Sequence, residues 1–262
     1  MSQGQYSRLF DAQAAQYKQF RPTYPPELFQ QILRYSDSER RHHALDNGTG
    51  NGQAAVELAK HYDRVTATDQ SAKQLQQAEQ MPNVEYKEGS AEAIDLADSS
   101  IDLLTVAQAL HWFELPTFYA EARRVLRPSG TLAGWGYDRP FVKDQAEVDK
   151  LLSQLYSVTL GPYWDDRRRL IEQHYRGMEP PADGWSQVTR QELDMQKPMT
   201  VQTLLGYLRS WSSYTSFRRE RPEAADPLQL FEQNVLQALG SKDASHELTI
   251  NFPVFLILAK RH

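Results

Sequence analysis

The chain contains no cysteine, which excludes disulfides, thiolate metal sites, a cysteine nucleophile and a thiol redox switch. Positive charge is also scarce, with 29 Lys and Arg against 34 Asp and Glu in 262 residues, a formal net charge of -5. No overall basic field draws such a chain to nucleic acid or to an anionic membrane, so the expected partner is a small molecule. Long apolar runs are missing too. The longest, Phe252 to Ala259, holds eight residues and is interrupted by Pro253, against the ~20 that a membrane-spanning helix needs. The opening residues, MSQGQYSRLF, are too polar for the core of a signal peptide, and a cytoplasmic location is expected. Metal motifs are absent as well: the seven His are scattered, and no H-E-x-x-H, EF-hand loop, G-x-S-x-G elbow or Walker loop occurs. No metal is expected.

What is present is ordinary globular composition, 40% hydrophobic and 24% charged, sufficient for one large core with an attached subdomain. Strand and helix patterns alternate from residue 44 onward. Strands are read at Ala44 to Asn47, Arg64 to Thr68, Val84 to Lys87, Ile101 to Ala107 and Thr131 to Tyr137, with a turn at Arg127 to Gly130. Helices are read at Ala54 to His61, Ala72 to Gln80 and Leu115 to Leu126. Alternation of this kind builds a parallel, doubly wound sheet. Beyond Asp138 helical spacing takes over. Val201, Leu204, Leu205, Leu208 and Trp211 line one amphipathic face, and Leu228, Phe231, Val235 and Leu239 line another, with RRERPEAADP between them as a turn. The final His246 to Lys260 stretch is read as a strand that pairs antiparallel near Trp185 to Met195. The expected fold is therefore α/β, a Rossmann-like seven-stranded sheet with its last strand antiparallel and a helical cap. Residues 1–40 form N-terminal lid helices, 41–138 the cofactor core, and 139–262 the cap with the final strands.

The most informative run is Asp46-Asn47-Gly48-Thr49-Gly50-Asn51-Gly52, placed where a strand ends and a helix begins. Glycine belongs there because the turn is sharp and the backbone must approach a ligand. Asp69 follows the next strand, at the distance expected of a carboxylate that accepts hydrogen bonds from both hydroxyls of a ribose. Asp46 suits an ammonium group. Ser90, Ala91 and Glu92 follow the third strand and are placed to bracket an adenine. Three consecutive strand ends thus describe one nucleoside site. Gly50-Asn51-Gly52-Gln53-Ala54-Ala55 also fits a nicotinamide dinucleotide fingerprint, but there the first glycine normally follows the strand directly, and Gly48 precedes it here.

In this order the motifs resemble the class I S-adenosylmethionine (SAM)-dependent methyltransferases. Two further segments resemble the type 11 and trans-aconitate methyltransferase-like subgroup: Tyr17-x-x-Phe20-Arg21-Pro22-x-Tyr24-Pro25, and Ala107-Gln108-Ala109-x-His111-Trp112-Phe113. The resemblance implies SAM as cofactor, S-adenosylhomocysteine (SAH) as product and a small acid or similar metabolite as acceptor. It implies a cofactor site of Tyr17, Arg21, Asp46, Gly48, Gly50, Asp69, Gln70, Ser90, Ala91, Glu92, Ala107 and Gln108, the first two from a segment that folds over it.

The sulfonium methyl is already electrophilic, so positioning outranks acid-base work. A carboxylate acceptor is ionised at neutral pH and needs no base, whereas a hydroxyl or amine does, and His111 is the candidate catalyst. Tyr24, His111, Trp112, Trp211 and Tyr214 are the candidate acceptor contacts, and the arginines at 167–169, 218, 219 and 221 offer further cations for an acidic substrate. Each of these also has a plainer reading, as core aromatic or solvated charge. Two rival functions stay open on sequence alone, a SAM-binding protein without turnover and an NAD-dependent oxidoreductase.

Overall fold

The computed structural model describes residues 22–36 and 40–262. Tyr17 and Arg21 lie outside the described residues. The described chain divides into two compact units, one made of Thr23–Asp138, Arg169–Leu193 and Val254–His262, the other containing Arg139–Arg168 and Asp194–Pro253.

In the first unit the chain runs α1 (Pro26–Tyr35), β1 (His43–Asn47), α2 (Gln53–Leu58), β2 (Arg64–Asp69), α3 (Ala72–Leu75), β3 (Val84–Glu88), β4 (Ile101–Ala107), α4 (Leu115–Val125) and β5 (Leu126–Tyr137). The strand order is β3-β2-β1-β4-β5, all parallel. The closing strand β8 (Glu247–Arg261) runs antiparallel beside β5, from Thr131 opposite Lys260 to Tyr137 opposite Val254. Strand β7 (Trp185–Thr200) pairs with β8, as the terminal hairpin predicted. Because crossovers cover both faces of a parallel sheet, its inner strands are apolar throughout; in β4 every residue from Ile101 to Val106 is buried.

Phe118, Tyr119, Ala122 and Val125 of α4 pack on Leu45, Leu104, Val106 and Leu132 in one core cluster. Trp135, three residues beyond Leu132, points to the opposite face because side chains alternate along a strand. There it meets Phe29 of α1 edge-on, at 5.9 Å between ring centres. The two layers follow from one alternation.

Several expected boundaries shift. The helix read over Ala72 to Gln80 closes at Leu75, since Gln76 to Gln80 carries only Ala78 as a buried apolar residue and Pro82 follows. Arg127 to Gly130 is not a separate turn but an irregularity inside β5. There the partner of β4 jumps from Leu126 to Thr131, and Ser129 adopts φ 64.

In the second unit lie β6 (Phe141–Val142), α5 (Ala146–Gln154), α7 (Val201–Arg209), α8 (Ser212–Glu220) and α9 (Pro227–Ala238), while α6 (Arg168–Glu172) begins at its edge. The strand β6 pairs antiparallel with the start of β8, Phe141 opposite Asn251, and raises the strand total from seven to eight. A two-residue strand has no periodicity to read. The helix expected through Trp211 ends at Arg209. Trp211 is the N-cap of α8, which continues through Arg218 and Arg219, so the expected turn starts only after Glu220. Among the described residues no helix is long and apolar enough to cross a membrane.

Phe118 is fully buried, with ring neighbours Phe113 at 5.0 Å and Tyr119 at 5.2 Å. Truncating a core aromatic removes its transfer energy and leaves a cavity, about 3–5 kcal/mol. Phe118→Ala should lower the unfolding free energy in urea by that amount, through a lower midpoint at an unchanged slope; a loss below about 1 kcal/mol would show that α4 does not anchor the sheet.

Candidate active site

The order β3-β2-β1-β4-β5 reverses direction between β1 and β4, and ligands of open α/β sheets bind beyond the carboxyl ends of the strands at such a switch point. Asp46 sits at that point, fully buried, one position before the end of β1. One carboxylate oxygen accepts from the Thr49 hydroxyl of the glycine turn at 2.5 Å, the other from the Thr105 hydroxyl of β4 at 2.7 Å. Burial pushes its pKa up to about 6, the two hydroxyls and the nearby charge of Asp69 acting as smaller opposing and reinforcing influences.

The turn itself is held by backbone bonds. The amides of Gly48 and Thr49 both donate to the Thr68 carbonyl, at 2.8 and 2.9 Å. Gly48 has φ +72, and a β-carbon there would stand 2.7 Å from the Ala109 methyl and 3.2 Å from the Phe113 ring. A side chain is excluded, which brings the glycine turn against the segment after β4. Gly50 has φ +57, and no atom of the described residues lies within 4 Å of where its β-carbon would be. Its amide donates to Asp69 Oδ2 at 2.8 Å, while the Ser71 amide donates to Oδ1. Asp69 is thus oriented by backbone amides on both oxygens. Gln70 lies between Asp69 and Ser71, half-buried.

Beyond β3, Ser90 donates to Glu92 Oε2, and the Glu114 amide donates to Glu92 Oε1 at 3.0 Å; Ala91 is buried in the core cluster. After β4 the backbone turns at Gln108, which takes φ 53, rare for a residue with a side chain. Its amide group pays that strain back by copying a strand partner: Nε2 donates to the Tyr137 carbonyl at 3.1 Å, and Oε1 accepts from the Tyr137 amide at 2.6 Å. Ala107 precedes it, half-buried at the strand end. Tyr24 packs edge-on against Trp135 at 5.4 Å and near Tyr137 at 6.4 Å.

His111 is buried in the short 3-10 turn Leu110–Trp112, its ring 5.0 Å from that of Trp112. Its Nδ1 lies 2.8 Å from the hydroxyl of Tyr175, a fully buried residue that the sequence reading missed. No local pattern marks Tyr175, which is 64 positions away in the loop after α6. It and His174 are successive non-glycine residues at positive φ, 55 and 54. Such conformations cost about 1–3 kcal/mol each unless their surroundings enforce them.

The structure therefore brings Asp46, Gly48, Gly50 and Asp69 together at the switch point, joins Ser90 to Glu92, and sets the Ala109 stretch against Gly48. Trp211 and Tyr214 belong to the other unit. Trp211 is 2% exposed among the rings of Tyr156, Trp164 and Tyr207, and the Tyr214 hydroxyl donates to Asp226, the N-cap of α9. Arg168 of the same unit donates to the Tyr156 hydroxyl at 2.7 Å.

A parallel sheet with acidic residues at successive strand ends around its switch point defines a nucleoside-binding α/β protein. The model of the methyltransferase domain family matches residues 45–134, which carry the glycine turn, all three acidic elements and β4. A Dictyostelium discoideum protein provisionally named a methyltransferase is 37% identical over 96% of this chain and 94% of its own length. A Saccharomyces cerevisiae protein provisionally named a SAM-dependent methyltransferase is 24% identical over 95% of this chain and 96% of its own. The solved structure of a protein from Anaeromyxobacter dehalogenans, provisionally termed a type II methyltransferase, has a TM-score of 0.80 at 33% identity, covering 91% of this chain and 97% of that one. The chain belongs to the class I SAM-dependent methyltransferases. Its cofactor is SAM, and the oxidoreductase and non-catalytic readings are set aside.

Asp46 yields a stability prediction. Its folded pKa of about 6 exceeds the ordinary aspartate value of 3.8, so the folded state holds its proton more tightly than the unfolded one. Stability from this group is full below about pH 4, falls as pH rises to about 6, and stays lower by about 3 kcal/mol above that. In urea unfolding, the stability of the native chain relative to Asp46→Asn should fall by that order between pH 4 and 6.5; a flat difference would refute the buried-charge assignment.

Proposed function

We propose that this methyltransferase acts on a small-molecule acceptor, with a carboxylate as the group methylated. The observation that supports its cofactor half is the backbone-oriented acid Asp69 beside Gly50, where no atom of the described residues fills the place of a side chain; the acceptor half rests on chemistry. Asp69 accepts from the ribose hydroxyls, Ser90, Ala91 and Glu92 with Gln70 flank the nucleoside, and Asp46 provides negative potential for the ammonium group from beneath the turn. Ala107 and Gln108 present backbone to the methionine portion. SAM supplies an electrophilic sulfonium methyl, so the chain's own task is to orient the acceptor and to exclude water.

Chemistry supports a carboxylate because it is ionised at neutral pH and surrenders no proton on methylation. The trans-aconitate-like segments around Tyr24 and around His111-Trp112 point the same way. Tyr24 and Trp112 serve as walls for the acceptor and His111 as its polar contact, with Tyr17 and Arg21 assigned to the covering segment. A net charge of -5 without a basic excess favours a metabolite over nucleic acid.

Calorimetric titration tests the cofactor half: SAM and SAH should bind and NAD should not. Asp69→Ala should weaken SAH at least tenfold, since a charge-assisted hydrogen bond contributes about 1.5–3 kcal/mol. Unchanged affinity would remove Asp69 from the ribose. Transfer of labelled methyl to a panel of small acids, alcohols and amines, trans-aconitate among the acids, tests the acceptor half; labelling confined to amines or alcohols would overturn the carboxylate.

A further inference from the structure

Among the arginines that the sequence offers to an acidic ligand, Arg168 stands in an aromatic frame. Within the second unit its guanidinium carbon lies 5.3 Å from the centre of the Tyr156 ring and 5.0 Å from that of Trp164, both within cation–π range. Its Nε donates to the Tyr156 hydroxyl at 2.7 Å. The frame is itself braced. Trp164 donates its indole N–H to the Tyr156 carbonyl at 3.3 Å, and Trp211 packs against both rings, 5.6 Å from Tyr156 and 5.3 Å from Trp164. Tyr156 is set by a π-helical turn, Leu155–Thr159, which follows α5 and closes with the Leu160 amide on the Leu155 carbonyl at 2.9 Å. Turns of this width frequently mark functional sites.

Arg168 is half-buried, and among the described residues no carboxylate pairs with it. A cation drawn out of water is ordinarily met by an anion. Here two ring faces and one hydroxyl orient the guanidinium through Nε, so the two terminal nitrogens, the fork that matches a pair of anionic oxygens, remain to be used. The same aromatic cluster carries a second donor. Trp211 is the N-cap of α8 and makes no side-chain cap, because an indole has no acceptor. In the first turn of that helix Ser213 is fully buried, and its hydroxyl has no hydrogen-bond partner. Helical side chains lean toward the N-terminus, the end that favours anions, so a ligand oxygen is the partner this hydroxyl suits. We propose that Arg168 anchors an oxyanion of a small-molecule ligand in the second unit, gripping two of its oxygens with the terminal nitrogens, with Ser213 as a further donor on the same cluster. The anionic group is a carboxylate or a phosphate, since both present paired oxygens to a guanidinium. This site goes beyond the methyl-accepting group and is defined by the second unit alone.

Anion binding can be read on the full chain without SAM or methyl transfer. The indole 1H–15N signals of Trp164 and Trp211, assigned by their loss in Trp164→Phe and Trp211→Phe, should move saturably on titration with succinate or with inorganic phosphate, and not with chloride at matched ionic strength. Arg168→Gln should weaken that binding at least tenfold, as expected for the loss of a bidentate, charge-assisted contact. Arg168→Lys, which keeps the charge but not the fork, should weaken it as well. A response to succinate alone makes the ligand a carboxylic acid, a response to phosphate alone a phosphate ester, and either supports the site. No saturable shift with either anion would overturn the proposal, as would equal affinity in the native chain and in Arg168→Gln. Should Arg168→Gln fail to fold, the comparison with Arg168→Lys decides. Failure of SAH to bind the native chain would strike only the cofactor reading, so the two failures are distinguishable.

Discussion

A carboxylate with no exposure must find all its partners inside the protein, and at the end of β1 that requirement organises everything around it. Asp46 takes one hydroxyl from the glycine turn and one from β4, the two segments that its own strand must hold in register. A buried charge left with one partner removed costs several kcal/mol, so the turn and β4 are coupled through a group that neither contains. The coupling falls at the one place where the strand order reverses and the sheet opens to a ligand. Above the turn, Asp69 is oriented by the amides of Gly50 and Ser71. The inner acid maintains the turn, and the turn in turn orients the outer acid.

This arrangement also fixes where glycine is indispensable. Gly48 must lack a side chain because Ala109 and Phe113 occupy that volume, while at Gly50 it is the left-handed backbone, φ +57, that favours glycine. One glycine is set by packing, the next by the turn.

The elements that carry the proposed cofactor site were legible because each of them is local. A strand run, a glycine turn and an acid at the next strand end are each decided within a few residues, and β4 was read to its boundaries. Where the reading failed, the cause was non-local. The segment after Ala72 keeps a helical composition but has little apolar surface to bury, so it ends at Leu75. Trp211 continues the period of the preceding helix, yet its extended backbone starts the next one. β6 exists only because β8 offers it an edge. Tyr175 carried no signal at all, since nothing in a sequence marks a left-handed tyrosine whose partner is 64 positions away.

The surroundings of His111 are assembled from the parts that are hardest to read, and this has a physical basis. The closing strand β8 delivers Phe255 beneath His174 and Tyr175, β7 delivers Arg190 and Glu192, and only β4 with its following turn delivers His111. A cofactor common to many enzymes can be held by one continuous motif, because the motif and the ligand stay constant together. An acceptor that differs between enzymes is better held by segments that meet only in the fold, each free to change without disturbing the glycine turn. The strain at residues 174 and 175 is tolerable for the same reason. It is borne by a loop anchored on the last strands of the sheet, outside the β1–β4 hydrogen bonds that keep Asp46 satisfied.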